Sequence, residues 1–286
     1  MLRVCVSGIG RSGSQVAKYL LGQKQVKLVS AICSDSNPHA GCDLGTAIDI
    51  ADTGVTVYPA AKLDVCLAKT RPHVVIDFSG MKPALHNIRT FAEHHVRIVM
   101  AVTGFTETEQ KRMNMLVRKH GTALLYAPNI TRGVNVMMLL SELAGKLLAD
   151  YDPEILEMHH KHKCDAPSGT AKKLAGALEN AYAAVGSPKN IPVSAVRAGG
   201  IIGEHAYLLV GENDMLEIRH RSLSRDAFAE GALFAARFIQ DKIGIYEMKD
   251  ALHFEESLAE YGTISDPLAD ADILAHGLCD YSTIGS

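Results

Sequence analysis

Apolar residues in the first half of the chain arrive in two alternating rhythms. Short unbroken runs (RVCVS, KLVSAI, VTVY, HVVIDFS, RIVMAV and TALLYA) have the length and β-branched content of strands buried on both faces. Between them, SQVAKYLL, KLDVCLAK, PALHNIRTFAEHH and TETEQKRMNMLVRKH carry helical spacing, the third with proline near its start and the fourth with a Thr- and Glu-rich first turn. Strands alternating with helices predict a parallel sheet covered by helices on both sides.

After APNITRGVN the rhythm changes. A long apolar helix, VMMLLSELAGKLLA, precedes a strand through EILEMHH, a second helix, and two runs in HAYLLVGENDMLEIRHR whose turn residues Gly211, Glu212, Asn213 and Asp214 predict a hairpin. This part reads as α+β, with the boundary near residue 128. DAFAEGALFAARFIQ predicts one more helix, and the stretch from His253 onward is weakly patterned, with no internal repeat.

Composition narrows the function classes. With 286 residues, 47% of them apolar, and a net charge of -3, the chain suits a two-domain globular protein without general affinity for nucleic acid or acidic membranes. No apolar run reaches the length of a membrane span, and MLRVCVSGIG enters a strand directly, without a secretory pattern. Six scattered cysteines with no CxxC pair fit reduced thiols and a cytoplasmic location. Partners are expected to be small molecules or protein.

Gly8, Gly10 and Gly13 form GxGxxG between the first strand and the first helix. Bare backbone N–H groups and the helix dipole there favour a pyrophosphate, and the surrounding βαβ unit favours that reading over a merely tight turn. The second strand ends in Cys33-Ser34, with Asp35 further along than the usual ribose-binding acid. NADH and NADPH therefore both remain open, and Arg11 reads equally as added charge towards phosphate or as a solvated surface residue.

EMHHKHKCDAPSGTA, residues 157–171, concentrates positive charge beside a helix start. If the segment stays extended, His159, Lys161 and Lys163 share one face and His160 and His162 the other. Ser168 is the expected N-cap of a helix with apolar positions at Ala171, Leu174, Ala175 and Leu178, which turns the Gly169 and Thr170 N–H groups towards an anion. A histidine exchanges protons near neutral pH while a lysine supplies a cation, which suits reduction of a carboxylate-bearing substrate. A metal pair at His160 and His162 lacks further ligands at suitable spacing, so no metal is expected.

With DFS at 77–79, TGF at 103–105, APNITRGVN at 127–135, RAGGIIGEH at 197–205 and SRDAFAEGA at 224–232, this combination resembles the 4-hydroxy-tetrahydrodipicolinate (dihydrodipicolinate) reductase family across roughly residues 3–252. The resemblance implies a Rossmann-like dinucleotide-binding domain over 1–128 and 241–286, with an α+β substrate and tetramerisation domain over 129–240. It implies an NADH- or NADPH-dependent reductase of a cyclic dicarboxylate in lysine biosynthesis, acting as a homotetramer. His159 and Lys163 would be catalytic, and His160, Gly169 and Thr170 would hold substrate carboxylates. Gly8, Ile9, Gly10, Arg11, Ser12, Gly13, Cys33, Ser34, Ala101, Val102, Thr103, Ala127, Pro128, Asn129 and Ile130 would line the cofactor. The chain departs from the family in carrying Ala101-Val102-Thr103-Gly104 where glycine-threonine-threonine-glycine is common, and in a shorter glycine loop without its methionine. The Ala101-Val102 departure keeps two alternatives in view, a reductase of another cyclic imine and a non-catalytic NAD(P)-binding regulator.

Overall fold

The structure is a computed structural model that describes residues 1–264. Along the first half run β1 (Leu2–Ser7), α1 (Arg11–Leu21), β2 (Val26–Cys33), α2 (Leu44–Ile48), β3 (Val57–Pro59), a 3-10 turn (Ala60–Lys62) and α3 (Leu63–Thr70). β4 (Val74–Asp77), α4 (Met81–Glu93), β5 (Arg97–Met100), α5 (Glu107–Lys119) and β6 (Ala123–Tyr126) follow. Then come α6 (Arg132–Leu147), β7 (Asp152–His159), α7 (Gly169–Ala184), β8 (Val193–Arg197), β9 (Glu204–Val210), β10 (Met215–Arg221), α8 (Asp226–Ile239), β11 (Gly244–Glu247) and α9 (Met248–Ala251).

The alternating runs build a parallel seven-stranded sheet in the order β11-β6-β5-β4-β1-β2-β3. Side chains of β1 explain why its run is unbroken. Leu2, Val4 and Val6 enter the layer shared with α1 and α8, whereas Cys5 enters the layer under α3, α4 and α5. Both faces are dry, so a period of two gives way to continuous apolarity. Thr106 begins α5 with a capping box closed by Glu109, as its Thr- and Glu-rich start predicts.

The second sheet has the order β10-β9-β7-β8 and packs one face on α6 and α7 around Ile155, Leu174, Leu178, Tyr182, Tyr207 and Leu209. Its hairpin closes at Gly211, whose N–H donates to the Asp214 carbonyl at 2.9 Å. α8 differs from expectation. Ala229, Ala232, Leu233, Ala236 and Ile239 lie in the core of the first sheet, so the chain returns there at Asp226, ahead of the division expected at residue 240. Its small residues permit that approach: a Cβ on Gly231 would stand 1.9 Å from the Ile130 carbonyl oxygen.

The chain divides into two compact units, Met1–Leu252, which holds both sheets, and a second beginning at His253. The described part of the second is α10, Phe254–Ile264. The expected role of the tail in the nucleotide domain lies, over 265–286, outside the described residues.

Candidate active site

The glycine loop makes a cradle at the end of β1. Gly8 has φ of 86° and a Cβ there would meet Ser79 Cα at 2.5 Å, so only glycine fits between the loop and the DFS turn. A Cβ on Gly13 would lie 1.7 Å from the Gly8 carbonyl oxygen, which lets α1 start directly under the loop. At Gly10, the N-cap, a Cβ would meet nothing within 4 Å. The space before the α1 amides is open, as a pyrophosphate requires.

A cleft of about 530 Å³ runs from Gly8, Ile9 and Gly10 past Cys33 and Ser34 to Lys82 and His86 on α4. Arg11 and Ser12 are exposed and are not among the residues lining it, and Gly13 acts through packing. The Asp35 carboxylate lines the cleft but accepts the Ala61 N–H at 2.7 Å. Lys82 and His86 had no signal in the chain beyond their place at the start of α4, since neither belongs to a motif.

Two further segments follow strand ends of the same sheet. Ala101 N donates to the Asp77 carbonyl at 3.0 Å and Ala127 N to the Met100 carbonyl at 2.9 Å. Val102, Ala127 and Ile130 are buried and the Thr103 side chain is exposed, so the first three offer backbone rather than side chain. After Pro128, Asn129 turns towards the second sheet: its Nδ2 donates to Thr170 Oγ1 at 3.1 Å and its Oδ1 accepts the Thr131 N–H at 3.2 Å.

The histidine cluster is built on β7, but the strand ends at His159. The alternation through Lys163, which required an extended segment, therefore does not apply. A turn replaces it, in which Lys163 N donates to the His160 carbonyl at 3.0 Å. Lys163 pairs through Nζ with Asp165 at 2.7 Å, and the His160 and His162 rings stand 6.5 Å apart. Ser168 caps α7 by accepting the Ala171 N–H at 3.2 Å, and Ala171, Leu174, Ala175 and Leu178 form the expected buried stripe.

Behind His159 lies a polar network. Glu157 has no exposed side-chain surface, and its Oε1 accepts the Ser168 N–H at 3.1 Å and an Arg197 N–H at 2.6 Å, while its Oε2 bonds His159 Nδ1. His159 Nε2 is left facing Gly203, where a Cβ would come within 3.2 Å. His205 meets the His159 ring edge-on at 5.2 Å, and its Nε2 shares a 3.2 Å hydrogen bond with Ser168 Oγ.

Burial pushes the Glu157 carboxyl up, but bonds from Arg197, His159 and the Ser168 amide outweigh it and hold the group below the usual carboxylate range. Burial lowers His159, and Glu157 opposes that shift. Burial, then the nearby His159, pushes His205 down to about 4. Glu157, His159 and His205 have donor atoms close enough to gather round a cation. Both Glu157 oxygens are already bonded, however, and the Arg197 guanidinium supplies the positive charge a metal would bring.

Arg197 and His205 were not among the sequence-derived site residues, and Glu157 was named only within the motif. Strand register brings them in: His159 pairs with Arg197 across β8, and Glu157 with His205 across β9. Both newcomers sit in RAGGIIGEH, the one signal that pointed to them.

A sequence model described as "Dihydrodipicolinate reductase, N-terminus" matches residues 2–130, and one described as "Dihydrodipicolinate reductase, C-terminus" matches 133–252. The 4-hydroxy-tetrahydrodipicolinate reductase of Methanocaldococcus jannaschii is 35% identical, covering 90% of this chain and 99% of that protein. That of Methanothermobacter thermautotrophicus is 38% identical, covering 84% of this chain and 94% of its own. Dipicolinate-bound dihydrodipicolinate reductase from Paenisporosarcina sp. TG-14 shares the fold with a TM-score of 0.73, at 24% identity over 86% of this chain and 97% of that one. Both halves of the chain match in order and the relatives align along nearly their whole length, so the chain belongs to the dihydrodipicolinate reductase family.

Proposed function

We propose that the chain catalyses the NAD(P)H-dependent reduction of 4-hydroxy-tetrahydrodipicolinate to tetrahydrodipicolinate, in lysine biosynthesis through diaminopimelate. The carrying observation is the placement of His159: its Nδ1 is tied to a buried carboxylate, its Nε2 is left open, and a cation and a helix N-terminus stand beside it. The glycine cradle and the cleft beyond it fit a dinucleotide, with Gly8, Ile9, Gly10, Cys33 and Ser34 along it and Gly13 packed beneath the loop; the 101–103 and 127–130 segments, which follow neighbouring strand ends of the same sheet, are assigned to the nicotinamide.

NAD(P)H held at the glycine cradle would supply the hydride; the substrate loses its 4-hydroxyl with a ring proton as water, and the hydride and one proton complete the balance. Glu157 fixes the His159 ring, so that the imidazolium donates its Nε2 proton to the ring as it is reduced, while the carboxylate stabilises the cation. Lys163, His160 and the amides of Gly169 and Thr170 hold the substrate carboxylates. The Asn129–Thr170 bond links the cofactor segment to this helix start.

A homotetramer is supported by the open face of the second sheet, where Leu156, Met158 and Leu208 are half-buried and Val196 is 38% exposed. A cytoplasmic location fits the five described cysteines, all unpaired. No helix among the described residues is long and apolar enough to cross a membrane. The test is oxidation of NADH and NADPH by purified protein given substrate freshly condensed from pyruvate and aspartate semialdehyde, beside His159→Gln. Oxidation lost in the variant supports the reading; cofactor binding without oxidation refutes it.

A further inference from the structure

The strands of the first sheet are parallel, so the nucleotide cleft at their ends leaves the opposite edge without a role. There, at the starts of β1, β4 and β5, a cavity of about 710 Å³ opens over an apolar floor of Leu67, Pro72 and Val96. Arg3, Arg71, Arg97, His73, His94 and His95 surround it. Register explains part of this concentration, because Val4 pairs with Val74 and Val74 with Arg97, which brings the three strand starts into line.

One arginine serves the fold. Arg3 donates its Nε to the Arg71 carbonyl at 3.1 Å and a terminal N–H to the Thr70 carbonyl, satisfying the C-terminus of α3. The same account does not cover Arg97. Its Nε is buried without a hydrogen-bond partner, and among the described residues its side chain reaches only the His95 carbonyl, through a long 3.5 Å contact from Nη1. An orphaned guanidinium N–H is costly to bury, and it leaves Arg97 without the internal acceptor that would spend its charge.

Carboxylates do not balance the cavity. Asp64 is spent on His94 Nε2 at 2.7 Å, and Asp241 acts on His73 only through its field. Among the described residues no carboxylate pairs with Arg3, Arg71 or Arg97. Burial, then the fields of Arg3 and Arg97, hold His73 below the usual imidazole range, as surplus positive charge requires.

We propose that this cavity is an anion site for a small multivalent phosphoryl ligand, with Arg71 and Arg97 as its principal contacts. Planar guanidinium forks match tetrahedral oxyanions with paired N–H bonds, and the apolar floor admits an organic body behind the charged group. The site lies across the sheet from the glycine cradle and stands independently of the reductase reading.

The test titrates full-length protein with sodium pyrophosphate by calorimetry at fixed ionic strength, with saturating NADPH to occupy the glycine cradle. Glycerol phosphate and citrate are run as separate arms. Arg97→Gln and the exposed Arg71→Gln are expected to weaken pyrophosphate binding about tenfold each, as loss of a charge-assisted contact predicts. Binding of pyrophosphate alone points to an inorganic source, and binding of glycerol phosphate as well points to a phosphate monoester. No binding up to about 10 mM, or equal binding in both variants, overturns the site. Citrate binding as tightly as pyrophosphate overturns its phosphoryl character.

Discussion

Replacing Glu157 by Gln tests the proposed chemistry where the structure is most constrained. The carboxylate is fully buried between Arg197 and His159, whose side chains are 17% and 11% exposed, so water cannot substitute for a lost bond. Glutamine keeps the shape but turns one acceptor into a donor, and it must surrender the bond to His159 or to Arg197. A hydrogen bond to a charged partner contributes about 1.5–3 kcal/mol. Taken from the imidazolium, that lowers the His159 pKa further and slows proton donation at neutral pH about 10- to 100-fold. Because the donor must be protonated, activity falls as pH rises through the His159 pKa. Loss of Glu157, which raises that pKa, moves the falling limb to lower pH. The assay is kcat and kcat/KM from about pH 5 to 9 at saturating NADPH, with the KM for NADPH expected within about twofold of the parent. A kcat within twofold and an unmoved limb refute the reasoning. A fall in kcat without movement of the limb reduces Glu157 to a structural role.

Three other outcomes follow from named contacts. Lys163→Ala is expected to lower kcat/KM for the dicarboxylate at least about tenfold while nicotinamide fluorescence titrations stay unchanged, because the lysine stands on the substrate side of the site. Gly13→Ala drives a methyl into the Gly8 carbonyl, so NADPH binding by fluorescence is expected to fall below detection or the protein to unfold at lower temperature. Asp77→Asn acts on stability. Burial raises the Asp77 carboxyl to about 6, so between the unfolded value near 3.9 and about 6 the native state binds more protons and loses stability as pH rises. The variant lacks that loss and is expected to be about 1–3 kcal/mol more stable at pH 7, with a flatter pH slope in urea unfolding; equal slopes contradict it.

How much was legible depends on how local each signal is. The runs of β1, β4, β5 and β6 are continuous because both faces of the sheet are buried, and the stripe of α7 is periodic because one face is; both patterns can be read within a few residues. β8 escaped, since Val193–Arg197 has three exposed central residues and no apolar rhythm. Arg197 and His205 escaped with it, because only pairing between strands distant in sequence delivers them to Glu157. The face assignment of Lys161 and Lys163, which required an extended segment, does not apply for a local reason: the backbone leaves the strand after His159, where Lys161 N bonds the Gly199 carbonyl at 3.2 Å. The return of α8 to the first sheet was hidden because its small, apolar face suits either core.

Lys163 and His159 differ in what holds them. Lys163 is paired with Asp165, whose side chain is 52% exposed, and an ion pair so open to solvent contributes about 0–1 kcal/mol. In the proposed reaction a substrate carboxylate displaces Asp165 at little cost, which makes Lys163 a binding cation available on demand. His159 is different. Its partner Glu157 is sealed behind the site and held in turn by Arg197 and the α7 start, so the carboxylate cannot move away and water cannot replace its bond to the ring, worth about 1.5–3 kcal/mol. The imidazole is consequently fixed before substrate arrives, with a single nitrogen left to act. A movable cation and an immovable acid are what reduction of a charged ring needs: one adapts to the ligand, and the other presents its proton in one direction only.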